Sequence, residues 1–299
     1  RLDENVIDVV ALDGFVVEPF PFEDAVQGHR FEGGGQAERL ASVEFLEHKR
    51  YTPGDEIKNL DWKLVARSDR LYVKQFEDET NVRAMLAVDA SASMNYGPTP
   101  PTKIEFAQRA AAALTYLLLQ QSDPVGLISE SQAGRLYVSP SSAGAHFRAI
   151  ASALDDVEAT GPDSWLEHLM GVAGSFHKRS IFVLFTDLLG NRDETVQALQ
   201  LLRDRKHDVL LFHILHPWET EFPFERPTLF RGMENPSRRV LTDPGKVREE
   251  YLRKLKDLKA FYREKADALE IDYLQLNTRA PLETPLVRYL QRREERDNR

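Results

Sequence analysis

The chain contains no cysteine, which removes disulfides, thiolate metal sites and thiol redox chemistry and fits a reducing cytoplasm. It has no excess of positive charge either: 39 Lys and Arg stand against 48 Asp and Glu, a net charge of -9 at pH 7. A diffuse acidic surface repels phosphate backbones and anionic lipid heads, so nucleic acid is not an expected partner. No apolar run reaches the roughly 18–20 residues that a membrane span requires. LTYLLL and SIFVLF are short and flanked by polar residues, so direct membrane insertion is not expected. The tract EGGGQ lacks the Lys and Ser/Thr of a phosphate-binding loop, and no GxSxG elbow is present, so neither ATP binding nor serine-hydrolase chemistry is expected. There is no signal-peptide pattern, and the opening Arg1 in place of Met fits a processed or trimmed start.

What is present is an alternation. The 299 residues suffice for one large α/β domain with an appendage or for two modest domains. From residue 82 onward, apolar strand-like runs (VRAMLAVD, PVGLISES, GRLYVSP, SIFVLFTD, DVLLFHIL, IDYLQLNT) are interleaved with segments whose apolar residues recur at helical spacing. Near-continuous apolar strands are those covered on both faces. The pattern predicts an α/β fold with a doubly wound, mostly parallel sheet. In PVGLISESQAGRLYVSP the two strands are joined by a turn too short for a crossover helix, which predicts an antiparallel edge hairpin. Two stretches break the rhythm. Residues 1–80 read as an N-terminal β-rich subdomain packed on a core formed by 81–299. The Pro-rich segment 216–245 reads as an ordered insertion with little regular structure.

In VRAMLAVDASASMNYG a buried strand runs out into three hard-oxygen side chains, Asp89, Ser91 and Ser93. Ligands of open α/β sheets bind beyond the carboxyl ends of the strands, where strand order reverses. Asp187, in FTDLLGN, ends a second apolar strand, and a doubly wound order makes the two strands neighbours. Ser164, in GPDSWLEHL, offers a further hydroxyl at a helix start. One reading has Ser91 or Ser93 capping the next helix and Asp89 bonding loop amides. The full D-x-S-x-S with a second Thr-Asp strand end favours the other, a divalent-cation site. Oxygen ligands without His or Cys select Mg²⁺, with Mn²⁺ or Ca²⁺ as alternatives, over zinc. Neutral hydroxyls leave the ion most of its charge and an open position that attracts a partner's carboxylate. His213 and His216, in HILHPWE, are either a zinc pair or a strand residue and a loop residue on different faces.

DASASM with TDLLG resembles the metal-ion-dependent adhesion site of von Willebrand factor A domains, in which Asp, two Ser, a Thr and another Asp hold a divalent cation. The resemblance implies metal roles for Asp89, Ser91, Ser93 and Asp187, with Ser164 in the usual Thr position. GHR at 28–30, VEF, YTPGDE, LDWK, AR, LYVKQFEDETN and DASASM follow one another in order, and QQSDPVGL, HPWE, IDYLQLNT and PLVRYLQRR continue the series. This ordered set is similar to the bacterial domain of unknown function fifty-eight (DUF58), whose members join such a block to a von Willebrand factor A-like domain. Without the family, Tyr51, Trp62 and Tyr72 read as a structural staple, with Arg67 and Lys74 pairing Asp55 and Asp61. With it, the resemblance implies a cytoplasmic, non-enzymatic adaptor or scaffold. Its partners would be a MoxR-type AAA+ ATPase and a client protein undergoing chaperone-like remodelling or maturation. The rival reading is a divalent-metal-dependent phosphoester hydrolase. Against it, the second Asp of a DxDxT phosphatase is missing and no acid or base is placed nearby by sequence.

Overall fold

The computed structural model describes residues 83–131, 134–159, 165–176, 178–283 and 286–287, together with the backbone of three strands at 15–17, 45–50 and 72–76. Residues 21–80 form one compact unit and the remainder another. In the smaller unit, β2 (Phe45–Arg50) and β3 (Tyr72–Phe76) pair antiparallel, with Arg50 opposite Tyr72. The side chains of Tyr51, Trp62, Tyr72, Arg67, Lys74, Asp55 and Asp61, and with them the staple, lie outside the described residues, as does Ser164.

The larger unit is built on a six-stranded sheet. Its strands are β4 (Ala84–Val88), β5 (Val125–Ser131), β6 (Gly134–Ser141), β7 (Ile181–Thr186), β8 (Asp208–Leu215) and β11 (Asp272–Asn277), and their order is β11-β8-β7-β4-β5-β6. All neighbours are parallel except β5 and β6, which form the antiparallel edge hairpin that the short turn predicted. The chain starts in the middle at β4, winds outward through β5, and then returns to the other side of β4 as β7. The switch point therefore lies between β4 and β7.

Strand residues alternate between two cores. Leu86, Val88, Val183, Phe185, Phe212 and Ile214 face α1 (Lys103–Gln120) and α2 (His146–Asp155). Met85, Ala87, Phe182, Leu184 and Leu211 face α3 (Trp165–Ser175), α4 (Arg192–Asp204) and α6 (Pro244–Ala268). Every residue of β4 and β7 is buried, because a sheet covered on both faces has no side to leave polar. The charged helix α6 buries one stripe, Val247, Tyr251, Leu255, Leu258, Tyr262 and Ala266, at the spacing of a helix face. Packing is tight at Gly126 in β5, where an added Cβ would lie 2.7 Å from Met85 Cε and 2.8 Å from Val138 O.

The insertion carries more regular structure than its prolines suggested. It contains α5 (Pro217–Glu221), β9 (Thr228–Gly232) and β10 (Arg239–Thr242). Pro217 sits at the first helical position, where a missing N–H costs nothing, and the remaining prolines fall outside the strands. β9 is the centre of a small sheet with β10 on one side and β1 (Phe15–Val17) on the other, so the first described strand belongs to the larger unit.

His207 is buried beside Phe182 and Phe176, with ring centroids 4.9 and 6.4 Å away. Its Nδ1 accepts the Ser180 N–H at 3.3 Å. Burial, aided by Arg205, holds its pKa below the ordinary 6.5. The unfolded chain then takes up a proton near pH 6.5 that the folded chain refuses, so this contribution is present above pH 6.5 and is lost as pH falls. The urea midpoint is expected to drop between pH 7.5 and pH 5.5, and to drop less in His207→Gln, which keeps an acceptor for Ser180 but does not titrate.

Candidate functional site

β4 and β7 run parallel with Val88 opposite Phe185, and the Asp89 N–H donates to Phe185 O at 3.0 Å. That register brings Asp89, Thr186 and Asp187 to one edge of the sheet. Thr186 Oγ1 donates to Asp89 Oδ2 at 2.7 Å and accepts the Leu188 N–H at 3.1 Å. Leu188 has φ 58°, a left-handed conformation that is costly for a non-glycine residue. The turn it makes lets Asp187 Oδ1 accept the Leu189 N–H at 3.2 Å. After Asp89 the chain enters a short 3-10 turn at Ala92–Asn95. Asp89 Oδ1 accepts the Ser91 N–H at 2.8 Å, and the Ser91 and Ser93 hydroxyl oxygens lie 3.2 Å apart. Neither serine caps a helix through its side chain at this turn; α1 is capped instead by Thr102, with Glu105 reciprocating.

The second half of the cluster was not visible in the sequence pattern. Lys103, the first residue of α1, is fully buried, and its Nζ donates to Asp187 Oδ2 and to Glu219 Oε1, each at 2.7 Å. Glu219 belongs to α5 in the insertion, and its Oε2 accepts the His216 N–H at 2.6 Å. An ammonium at a helix N-terminus opposes the helix dipole, so the two carboxylates must hold it there. Burial works to lower the Lys103 pKa, but Asp187 and Glu219 outweigh it and raise it. Glu219 is itself raised, by burial first and by Asp187 second, against the opposing pull of Lys103. The Tyr96 ring lies 5.6 Å from the ammonium and packs edge-on against His216 at 5.5 Å.

Among the described residues no such cation pairs with Asp89. Burial and the neighbouring Asp187 charge push its carboxyl up from 3.8 to about 8, although Thr186 and Ser91 donate to it. Three buried carboxylates thus share one ammonium, and the shortfall is at Asp89.

The donor set at Asp89 suits a hard cation. Oxygen ligands at about 2.0–2.1 Å from Mg²⁺ stand about 3 Å apart along an octahedral edge, close to the 3.2 Å between the Ser91 and Ser93 hydroxyls. A carboxylate has about four lone-pair sites, and the hydrogen bonds from Thr186 and Ser91 leave Asp89 capacity for an ion. Among the described residues no three His, Cys, Asp or Glu side chains converge as a metal cage, so an ion here would rest on the hydroxyls as much as on carboxylates. His213 and His216 do not converge: His213 Nδ1 pairs with the Tyr273 hydroxyl at 2.6 Å, whereas His216 Nδ1 accepts the Trp218 N–H at 3.2 Å and caps α5. Burial pushes His213 down to about 3, so its ring is neutral.

Asp89, Ser91, Ser93 and Asp187 are therefore brought together by the fold. Lys103, Thr186 and Glu219 join them. The available signals were the T-x-x-E cap of α1 in TKIE and the Pro-x-Glu start of α5 in HPWE, which mark helix ends but not their meeting.

The doubly wound sheet with an antiparallel edge hairpin is a von Willebrand factor A-like fold, with Asp89 and Asp187 at its switch point. The chain belongs to the family described as Protein of unknown function DUF58, whose model matches residues 47–260. It is 25% identical over 218 residues to Uncharacterized protein Rv1480 of Mycobacterium tuberculosis, a match covering 69% of this chain and 66% of that one. Among solved structures it is similar to the conserved hypothetical protein BatB from Bacteroides thetaiotaomicron, with TM-score 0.45 and 16% identity over 66% of this chain and 90% of that one. It is also similar to the SpRpn10 VWA domain, with TM-score 0.38 and 10% identity over 69% of this chain and 93% of that one. No helix among the described residues is long and apolar enough to cross a membrane.

Removing one member of a buried ion cluster leaves its partners uncompensated, at a cost of about 3–5 kcal/mol. Lys103→Met is expected to lower unfolding free energy by that order. Adding Glu219→Gln should recover part of the loss, because it deletes one of the stranded charges. Denaturant melts of the two variants check this; a double variant no more stable than the single one would disconnect the two residues.

Proposed function

We propose that this chain is a metal-dependent protein-interaction module. The ion, Mg²⁺ in first place, would be held by Asp89, Ser91 and Ser93 with Asp187 in support, and it would supply a positive charge with a coordination position left to an acidic side chain of the partner. The observation that carries this reading is the pairing of a buried carboxylate short of positive charge with two hydroxyls 3.2 Å apart at the sheet's switch point. Among the described residues near the site, the lysine and both histidines are already engaged: Lys103 by two carboxylates, His213 by Tyr273, His216 as a cap. This favours binding over turnover, and so a non-enzymatic role over phosphoester hydrolysis. The family resemblance supports the finer assignment, a cytoplasmic adaptor or scaffold for a MoxR-type AAA+ ATPase acting on a client protein.

The reading is tested by titrating Mg²⁺ and Mn²⁺ into chelator-treated wild type and Asp89→Ala while following thermal unfolding. At about a hundred times its dissociation constant, an ion specific to the native state adds about 2.7 kcal/mol of stability. Wild type is expected to gain this and Asp89→Ala is not; equal responses would remove the metal site. Capture of the cognate MoxR-type ATPase should fail both in chelator and with Asp89→Ala. Capture indifferent to both would leave a partnership without this mechanism, and steady phosphoester hydrolysis lost in Asp89→Ala would replace the adaptor with an enzyme.

A further inference from the structure

One side chain of the insertion reaches the D-x-S-x-S turn. Glu234 lies in the turn between β9 and β10, is solvent-exposed, and its Oε1 accepts the Ser93 N–H at 2.8 Å across 141 residues of sequence. Ser93 is the residue whose hydroxyl stands 3.2 Å from that of Ser91. A fourth acidic side chain, on a separate element from Asp89, Asp187 and Glu219, therefore sits beside the D-x-S-x-S turn.

The hairpin is built to hold it there. Its base is anchored by Phe230, which is fully buried and packs against Phe222 and Phe224 with ring centroids 5.9 and 5.5 Å away. Its tip is closed by the Gly232 N–H donating to Arg238 O and the Arg238 N–H donating to Asn235 O, both at 3.0 Å. Asn235 Oδ1 also accepts from the Ser237 N–H at 3.2 Å and hydroxyl at 2.5 Å. At Gly232 a Cβ would stand 2.9 Å from Asn235 O, so only glycine lets the tip fold back this far. Fixing a glutamate side chain costs up to about 1.5–2 kcal/mol of rotamer entropy, and a rigid turn that delivers it to a charged hydrogen bond offsets that cost.

We infer that Glu234 is the chain's own acidic ligand: it occupies in cis the place that a partner's carboxylate takes in trans, so that a partner must displace it. This rests on the metal-dependent reading above and specifies how the open position is regulated. With Asp89, Ser91 and Ser93 supplying a single formal charge, an added carboxylate strengthens the hold on a divalent ion, and its departure frees one coordination position for water or for another acid.

The experiment measures Mn²⁺ binding to the full chain by water-proton relaxation in wild type, Glu234→Gln and Asp89→Ala. Glu234→Gln keeps the side chain's length and an acceptor for the Ser93 N–H while removing the charge, and the water count at the ion is a reading that a merely structural role would not move. The expected result is Mn²⁺ affinity about tenfold weaker in Glu234→Gln, with higher relaxation enhancement per bound ion from the extra exchanging water. Acetate, as a small carboxylate probe, should quench that added enhancement in Glu234→Gln and have little effect on wild type. Identical affinity and enhancement in wild type and Glu234→Gln would overturn the inference while the metal site stands. No Mn²⁺ uptake by wild type, or uptake indifferent to Asp89→Ala, would overturn the metal site and the inference with it.

Discussion

The larger unit turns on a buried ammonium. Lys103 Nζ, held at 2.7 Å by both Asp187 and Glu219, ties together the start of α1, the end of β7 and the first turn of the insertion. None of the three groups is tolerable there alone. The lysine opposes its helix dipole, and each carboxylate would carry a charge with no water to solvate it. A cluster of this kind adds little net stability over an apolar replacement, but it penalises any arrangement in which one member is absent. It therefore fixes which elements meet at the carboxyl edge of the sheet.

The backbone at that edge is strained at Leu188. Thr186 spends its hydroxyl on Asp89 and on the Leu188 amide, and Leu188 accepts a left-handed conformation to make the turn. The strain is sustained because β4 and β7 are buried throughout and hold the strand ends in register. The result is a division of charge: Asp187 and Glu219 share the Lys103 ammonium, while Asp89, with Ser91 and Ser93 beside it, has no cation among the described residues. A site compensated on one side and deficient on the other is suited to taking up a cation from outside without dismantling the ion cluster that supports it.

The insertion changes meaning once it is folded. As sequence, 216–245 is a Pro-rich interruption between a strand and a long helix. In the structure it supplies Glu219 to Lys103 from one end and Glu234 to Ser93 from the other. The element that looked like decoration on the sheet thus brings two carboxylates to the carboxyl edge of its strands. His216, open from sequence to a zinc reading, is a helix cap within the same segment.

The sequence determined the sheet and half of the site. Apolar runs buried on both faces, alternating with helical spacing, leave a doubly wound sheet as the arrangement that hides them. The turn between PVGLISES and GRLYVSP is too short for anything but a hairpin. Asp89, Ser91, Ser93 and Asp187 were legible because each is fixed to a strand end, and strand ends in such a sheet meet at the switch point. Lys103 was not legible, since TKIEF reads as an ordinary helix start whose lysine faces water. Its burial comes from Glu219, 116 residues away. Glu234 was hidden for the same reason: it lies in an exposed turn whose partner is 141 residues distant. Local pattern specifies which way a side chain leaves its own element, but long-range charge pairing depends on where a second element is laid down, and only the tertiary fold decides that.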